Sequence, residues 1–201
     1  MTIVNDSIFL VRHGEVRNPG HVVYASLPGF PLSASGRRQA AEVAGHVPHE
    51  ATVVASPLER AVETAQIIAN ITGGRVVADD ALTEWTLGSR WAGCVWEQLE
   101  EAFPGELTAY LEHPEHLPFS PESLADLARR VGAAVRNHRD GSDGPLIFVS
   151  HQDPIQAARL FLTGRPLAGL NRNKPKHAEA IELATTATES WVEKGSWAPD
   201  Q

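Results

Sequence analysis

A chain of 201 residues, 42% hydrophobic and 21% charged, can bury a substantial core and is too apolar to be disordered. Its formal net charge of -8 argues against a nucleic-acid surface, which needs a basic stripe, though a small basic pocket can sit inside an acidic molecule. The lone cysteine, Cys94, excludes an internal disulfide or a multi-cysteine zinc site and favours a reducing compartment.

Residues 1–7 have neither the positive n-region nor the apolar run of a leader. No stretch approaches the ~18 apolar residues needed to span a bilayer, so the expectation is a cytoplasmic protein without a membrane partner. A strand is predicted at 8–12, followed by an irregular Gly/Pro-rich loop to about 32 and a helix at 34–46. Strand 52–55, helix 57–70 and strand 75–78 come next. Residues 85–120 form a Trp-rich, acidic stretch; beyond it lie helix 121–139, strand 146–150, helix 154–163 and a strand near 179–184. Three helix starts read as a cap followed by proline: Ser56-Pro57 with Glu59 completing a capping box, Ser120-Pro121 and Asp153-Pro154. Leu124, Leu127, Val131 and Val135 share one helical stripe, a core face. Alternating strands and helices predict an α/β fold, a three-layer α/β/α sandwich on a mostly parallel sheet. The whole chain, 1–201, is expected to be one domain with a small lid insertion at about 85–120.

Polar residues with phosphate chemistry follow the apolar runs. Arg12-His13-Gly14 follows Ile8–Val11, and His151 follows Leu146–Ser150. Open α/β sheets bind ligands at such strand ends. A neutral imidazole can attack phosphorus and form a phosphohistidine, and Arg12 offers a planar fork matched to phosphate oxygens. Gly14 would let the backbone approach the phosphate without a Cβ in the way. Arg60 lies in the first turn of a helix, where a cation is misplaced unless an anion sits nearby. Taken singly, Arg60 reads as a surface residue paired with Glu59 or Glu63. Glu84 alone reads as a solvated loop carboxylate, and His151 as a satisfied loop histidine.

Together these segments resemble the histidine phosphatase superfamily, the phosphoglycerate-mutase-like enzymes. The matching stretches are Val11-Arg12-His13-Gly14-Glu15, the run from Ser56 to Ala65, and Leu82-Thr83-Glu84 with Gly88 and Trp91-Ala92-Gly93 behind it. Val149-Ser150-His151 completes the set, and Pro31-Leu32-Ser33 with Gly36 and Gln39-Ala40 looks like the family's first helix start. The resemblance covers about residues 8–163. It implies His13 as the nucleophile, with Arg12, Arg60 and His151 around the transferring phosphoryl group. It makes Glu84 the acid that protonates the leaving alkoxide and then the base for water. The cationic neighbours should lower the Glu84 pKa, with Trp85 and Trp91 partly offsetting this by desolvation.

The chain departs from the family pattern in places. Val16 replaces the usual Thr or Ser, and Asn18 falls five residues after His13 rather than six, which leaves its phosphate contact open. Pro121-Glu122-Ser123 stands where many members have Gly-Glu-Ser. Asp153 is a rival acid by analogy with another branch, but a helix N-cap explains it better. His113-Pro114-Glu115-His116 is read as a surface loop rather than a metal pair, His177 as a solvated loop residue and Cys94 as packing. Trp85, Trp91 and Trp96 suit either a pocket wall or the core.

The resemblance implies a metal-independent phosphomonoesterase that needs no cofactor, takes a small phosphoester and releases inorganic phosphate. A mutase would need extra positive charge in its lid. Segment 85–120 has only Arg90 against Glu97, Glu100, Glu101, Glu106, Glu112 and Glu115, so phosphatase is favoured over mutase. The same residues are also compatible with a phosphoprotein or phosphohistidine phosphatase, or with an inactive phosphate-binding module. A homodimer is left open.

Overall fold

The computed structural model describes residues 7–186 and 190–200. The N-terminal hexapeptide, where no leader is expected, therefore lies outside the described residues. Six strands form one sheet in the order β3-β2-β4-β1-β5-β6. Their spans are β1 Ser7–Arg12, β2 Thr52–Ala55, β3 Arg75–Ala78, β4 Leu146–Ser150, β5 Ala180–Thr185 and β6 Trp191–Trp197. β1, β2, β3 and β4 run parallel; β5 pairs antiparallel with β1, and β6 antiparallel with β5.

Both faces are covered, as a buried parallel sheet requires. Helices α1 Ala34–Val43 and α2 Glu59–Thr72 press Val43, Ala61, Ala65 and Ile68 onto Val53, Ala55, Ile147 and Val149. On the other face, α6 Leu124–Asp140 and α7 Gln152–Leu162 bring Leu127, Val131, Val135 and Ile155 against Leu10, Val54 and Phe148. The period-2 alternation of β4 decides which residue meets which layer. The stripe expected on α6 is that core face. Segment 85–120 contains three short helices, α3 Leu87–Arg90, α4 Leu99–Ala102 and α5 Glu106–Glu112.

The predicted helix starts need correction. α2 begins at Glu59, two residues late, with Leu58 as its N-cap and no side-chain cap. Ser56 is fully buried and hydrogen-bonded to His151, so its hydroxyl faces another strand end, although it also accepts the Leu58 N–H at 3.3 Å. α6 begins at Leu124, where Ser123 rather than Ser120 accepts from the Asp126 N–H. α7 begins at Gln152 with His151 in the N-cap position. Asp153 is therefore not a cap: its carboxylate accepts from Tyr110 Oη and Lys174 Nζ. The final antiparallel pair departs from the parallel alternation, and β6 was not anticipated.

Candidate active site

The register places the two histidines. Arg12 of β1 is paired with Ser150 of β4, so the next residues, His13 and His151, emerge side by side at the carboxyl edge. From these neighbouring strands the chain leaves toward opposite faces, β1 to α1 and β4 to α7. Such a switch point opens a crevice at the sheet edge. The imidazole centroids stand 5.2 Å apart at 63°. The His13 N–H donates to Ser150 O at 2.9 Å, locking the two strand ends together.

His13 is 1% exposed, and both of its ring nitrogens are assigned roles. Nδ1 lies 2.7 Å from Gly14 O, which can only accept. Arg60 Nε, which can only donate, reaches Nε2 at 3.2 Å. The proton therefore belongs on Nδ1 and the lone pair on Nε2. Burial, then His151 and the two arginines, hold the His13 pKa well below the ordinary histidine value, so the ring is neutral at physiological pH.

Arg60 is 1% exposed, which overturns its reading as a surface residue; Glu63 pairs with Arg37 instead. Its NH2 donates to Ala25 O at 2.7 Å, and its guanidinium lies 4.7 Å from the Tyr24 ring centroid. Arg12 donates through NH1 to Pro175 O at 3.0 Å and contacts His177 Nε2 through NH2 at 2.8 Å. His177 is thus half-buried against Arg12 rather than solvated, because the 171–178 loop folds back over the β1 end. Burial and Arg12 push the His177 pKa down to about 3, leaving a neutral ring as acceptor.

Among the described residues, Arg12 Nε and His151 Nδ1 are buried without a hydrogen-bond partner. Unpaired buried donors are costly, and an anion between them would satisfy both. Ser56 Oγ, which accepts the Leu58 N–H, lies 2.8 Å from His151 Nε2; when the serine hydroxyl donates there, the imidazole proton sits on Nδ1. His151 is fully buried, and burial with the nearby guanidinium groups keeps its pKa well below normal.

Glu84 Oε2 lies 3.9 Å from His151 Nδ1, while Oε1 accepts the Trp85 N–H at 2.9 Å. The expected depression of its pKa is reversed: burial, reinforced by the Asp153 carboxylate, raises it to about 7 against Arg60, Trp85 N–H and Arg12. Desolvation outweighs the cations because the carboxyl is only 18% exposed. Two residues that sequence reasoning missed hold this turn. Ser150 Oγ donates to Leu82 O at 2.6 Å, and Arg130 NH1 donates to Ala81 O and Thr83 O at 2.8 and 3.2 Å. Arg130 also forms a two-pronged pair with Glu122, so α6 braces the loop that carries Glu84.

A cavity of about 450 Å³ opens above this cluster. Arg12, His13, Asn18, Glu84 and Asp153 are among the polar groups lining it. Asn18, however, closes its own loop, donating to Val22 O at 2.8 Å and accepting the Val22 N–H at 3.2 Å. Gly14 is required by a different crowding from the one expected. A Cβ there would lie 2.4 Å from the backbone oxygen of Gly36, where the loop crosses the start of α1. Trp85 and Trp91 are 1% and 3% exposed and serve as both core and cavity wall, whereas Trp96 is 45% exposed at the mouth. His113 and His116 are exposed, and no metal-binding cluster of His, Cys, Asp and Glu occurs among the described residues.

A neutral imidazole with an unprotonated Nε2, beside guanidinium donors, suits phosphoryl transfer to nitrogen, and the class is a phosphatase with a histidine nucleophile. Comparison with known proteins agrees. The model of the histidine phosphatase superfamily (branch 1) matches residues 8–196, and the chain belongs to that superfamily. An uncharacterised protein of Mycobacterium tuberculosis (strain CDC 1551 / Oshkosh) is 38% identical over 177 residues, 80% of each chain. The glucosyl-3-phosphoglycerate phosphatase of the same strain is 32% identical over 206 residues, 96% of this chain and 86% of that one. A mycobacterial glucosyl-3-phosphoglycerate phosphatase solved with VO3 superposes with a TM-score of 0.83 at 28% identity, covering 97% of this chain and 100% of that one. No helix among the described residues is long and apolar enough to cross a membrane.

Proposed function

We propose that the protein is a metal-independent hydrolase of small phosphate monoesters that works through a phosphohistidine at His13. The observation that carries this reading is the Arg60 Nε contact to His13 Nε2, which leaves that nitrogen unprotonated in a residue that lines the cavity; the Arg60 N–H must pass from Nε2 to the phosphoryl oxygens as substrate binds. Nε2 attacks phosphorus as the P–O ester bond breaks, and the Glu84 carboxyl gives its proton to the departing oxygen. Glu84, now a carboxylate, takes a proton from water; the hydroxide oxygen attacks phosphorus, the P–N bond breaks and inorganic phosphate leaves. Arg12, Arg60 and His151 Nδ1–H hold the equatorial oxygens through both steps. Segment 85–120 acts as the lid of a single domain. Its only arginine, Arg90, is closed on Glu106, so the second phosphate of a mutase intermediate would find no lid cation; this favours hydrolysis.

The test is acid-quenched reaction of 4-nitrophenyl phosphate followed by mass spectrometry. A phosphoryl adduct on the His13 peptide, lost together with turnover in His13→Ala, is the expected result. Turnover surviving in His13→Ala would overturn the assignment.

A further inference from the structure

Among the described residues, the cavity offers no fixed positive charge away from His13. Arg12 is the one Lys or Arg among its lining residues, and two of its guanidinium nitrogens are already engaged by Pro175 O and His177. Lys174 is held by Asp153 and Tyr110. The mouth presents the reverse. Glu97, 64% exposed, stands 3.7 Å from the exposed imidazole of His21, and Trp96 leaves 45% of its surface uncovered beside them. This arrangement is built rather than loose. Val22 and Val95 form a β-bridge, Val23 N–H donates to Cys94 O at 2.8 Å, and Trp96 N–H to His21 O at 2.9 Å. The two loops are thereby laced together over the cavity, fixing the backbone of Trp96.

An uncovered indole at a cavity mouth favours a ligand ring laid against it. A carboxylate on the leaving group would meet Glu97 with the His21 imidazole but no lysine or arginine of the described lining beside it, and like charge without a strong counter-charge is how a site rejects a competitor. We propose that the site takes phosphate monoesters of ring-bearing alcohols that carry no carboxylate, with the ring on Trp96 and a hydroxyl or ammonium donor directed at Glu97. This rests on the phosphatase reading above. It separates this chain in substrate from the relatives named for a phosphoglycerate ester.

The experiment compares kcat/KM for phosphoethanolamine and phosphoserine, which differ only in the carboxylate, using the full chain. Wild type should favour phosphoethanolamine by about tenfold or more, equivalent to about 1.4 kcal/mol. Glu97→Lys should collapse or invert the ratio, and Glu97→Gln should move it the same way by less. Glu101→Lys, an equal charge change outside the cavity lining, should leave the ratio where it was. Trp96→Ala should lower kcat/KM for glucose 6-phosphate relative to glycerol 3-phosphate by about tenfold. Equal use of phosphoserine and phosphoethanolamine by wild type, ratios unmoved by Glu97→Lys, or a glucose 6-phosphate preference unmoved by Trp96→Ala would overturn the proposal. If 4-nitrophenyl phosphate is still hydrolysed and His13→Ala abolishes that, the phosphatase reading survives such a failure. Absence of any turnover overturns both.

Discussion

Arg60 Nε donates to His13 Nε2 across 3.2 Å while the same guanidinium donates to Ala25 O, so one buried fork fixes both the His13 tautomer and the loop above it. Lysine keeps the charge but cannot span two acceptors with a rigid plane. Arg60→Lys is expected to lower kcat for 4-nitrophenyl phosphate by about 10²-fold, the usual loss when one positioned donor goes. Steady-state kinetics beside a thermal melt checks this. A variant that melts normally and keeps wild-type kcat would show that the Arg60–His13 contact is incidental.

Glu84 is assigned the leaving-group proton, so its importance should scale with leaving-group basicity. Glu84→Gln should slow glycerol 3-phosphate hydrolysis by about 10²–10⁴, the range of general acid catalysis. A nitrophenolate needs no proton to depart, so the first turnover of 4-nitrophenyl phosphate should be much less affected. Stalled dephosphorylation should then appear as a burst of nitrophenol, read by rapid-quench kinetics. Equal losses on both esters, with no burst, would remove Glu84 from the acid–base role.

With Glu84 near 7 and His13 held neutral, the proposed mechanism puts the reactive protonation state on the acid side of neutrality. For alkyl esters, kcat/KM should fall as pH rises through about 7, and Glu84→Gln should erase that limb. Stability should follow the same group. Its folded pKa of about 7 exceeds the ordinary 4.5, so between those values the native state binds the extra proton and stability declines as pH rises. Glu84→Gln should therefore melt higher than wild type at pH 8, with the difference shrinking toward pH 4.5. A melting difference independent of pH would mean that the carboxyl is not held protonated.

Much of the site was legible because its residues are fixed by short local patterns. An apolar strand followed by a polar residue located His13 and His151 at the carboxyl edge, and parallel register then made them neighbours. Cap signals were less reliable, since the hydroxyl of Ser56 is shared with a tertiary partner, His151, that no local pattern reveals. Desolvation at Glu84 arises from the assembled walls, and the Asp153 carboxylate reinforces it by charge repulsion, so sequence reasoning had the sign of the pKa shift wrong. The brace from Arg130 spans 47 positions to Thr83, and only the packing of α6 shows it. β6 joins by antiparallel pairing with β5, outside the βα rhythm that made the rest of the sheet readable.

Arg130 touches neither His13 nor the cavity lining, so apart from a weaker charge effect on His151 its loss should act through Glu84. Arg130→Met keeps the length of the side chain and removes the donors to Ala81 O and Thr83 O. The expected outcome is a kcat loss of about tenfold on glycerol 3-phosphate, a smaller one on 4-nitrophenyl phosphate, and an unchanged KM for both. A shifted alkaline limb in the pH profile would mark displacement of the Glu84 carboxyl. A purely structural role would depress both substrates equally and leave the pH profile alone.

Gly14 tests whether backbone crossing, rather than phosphate access, dictates the glycine. Its added Cβ would press on Gly36 O at 2.4 Å, and a Cβ on Gly36 would reach Glu15 O at 2.0 Å, so each glycine is needed by the other strand of the crossing. Neither neighbour is a flexible side-chain tip, so relief requires backbone movement. Gly14→Ala and Gly36→Ala should each cost about 1–3 kcal/mol, which denaturant melts would read. Their activities should diverge, because Gly14 O holds His13 Nδ1 and Gly14 N–H donates to Thr64 Oγ1 at 3.1 Å. The folded fraction of Gly14→Ala should therefore lose turnover well beyond its stability loss, while folded Gly36→Ala should retain more. If Gly14→Ala is as stable as wild type and fails only in phosphate binding, then room for the ligand, and not the backbone crossing, is what requires glycine there.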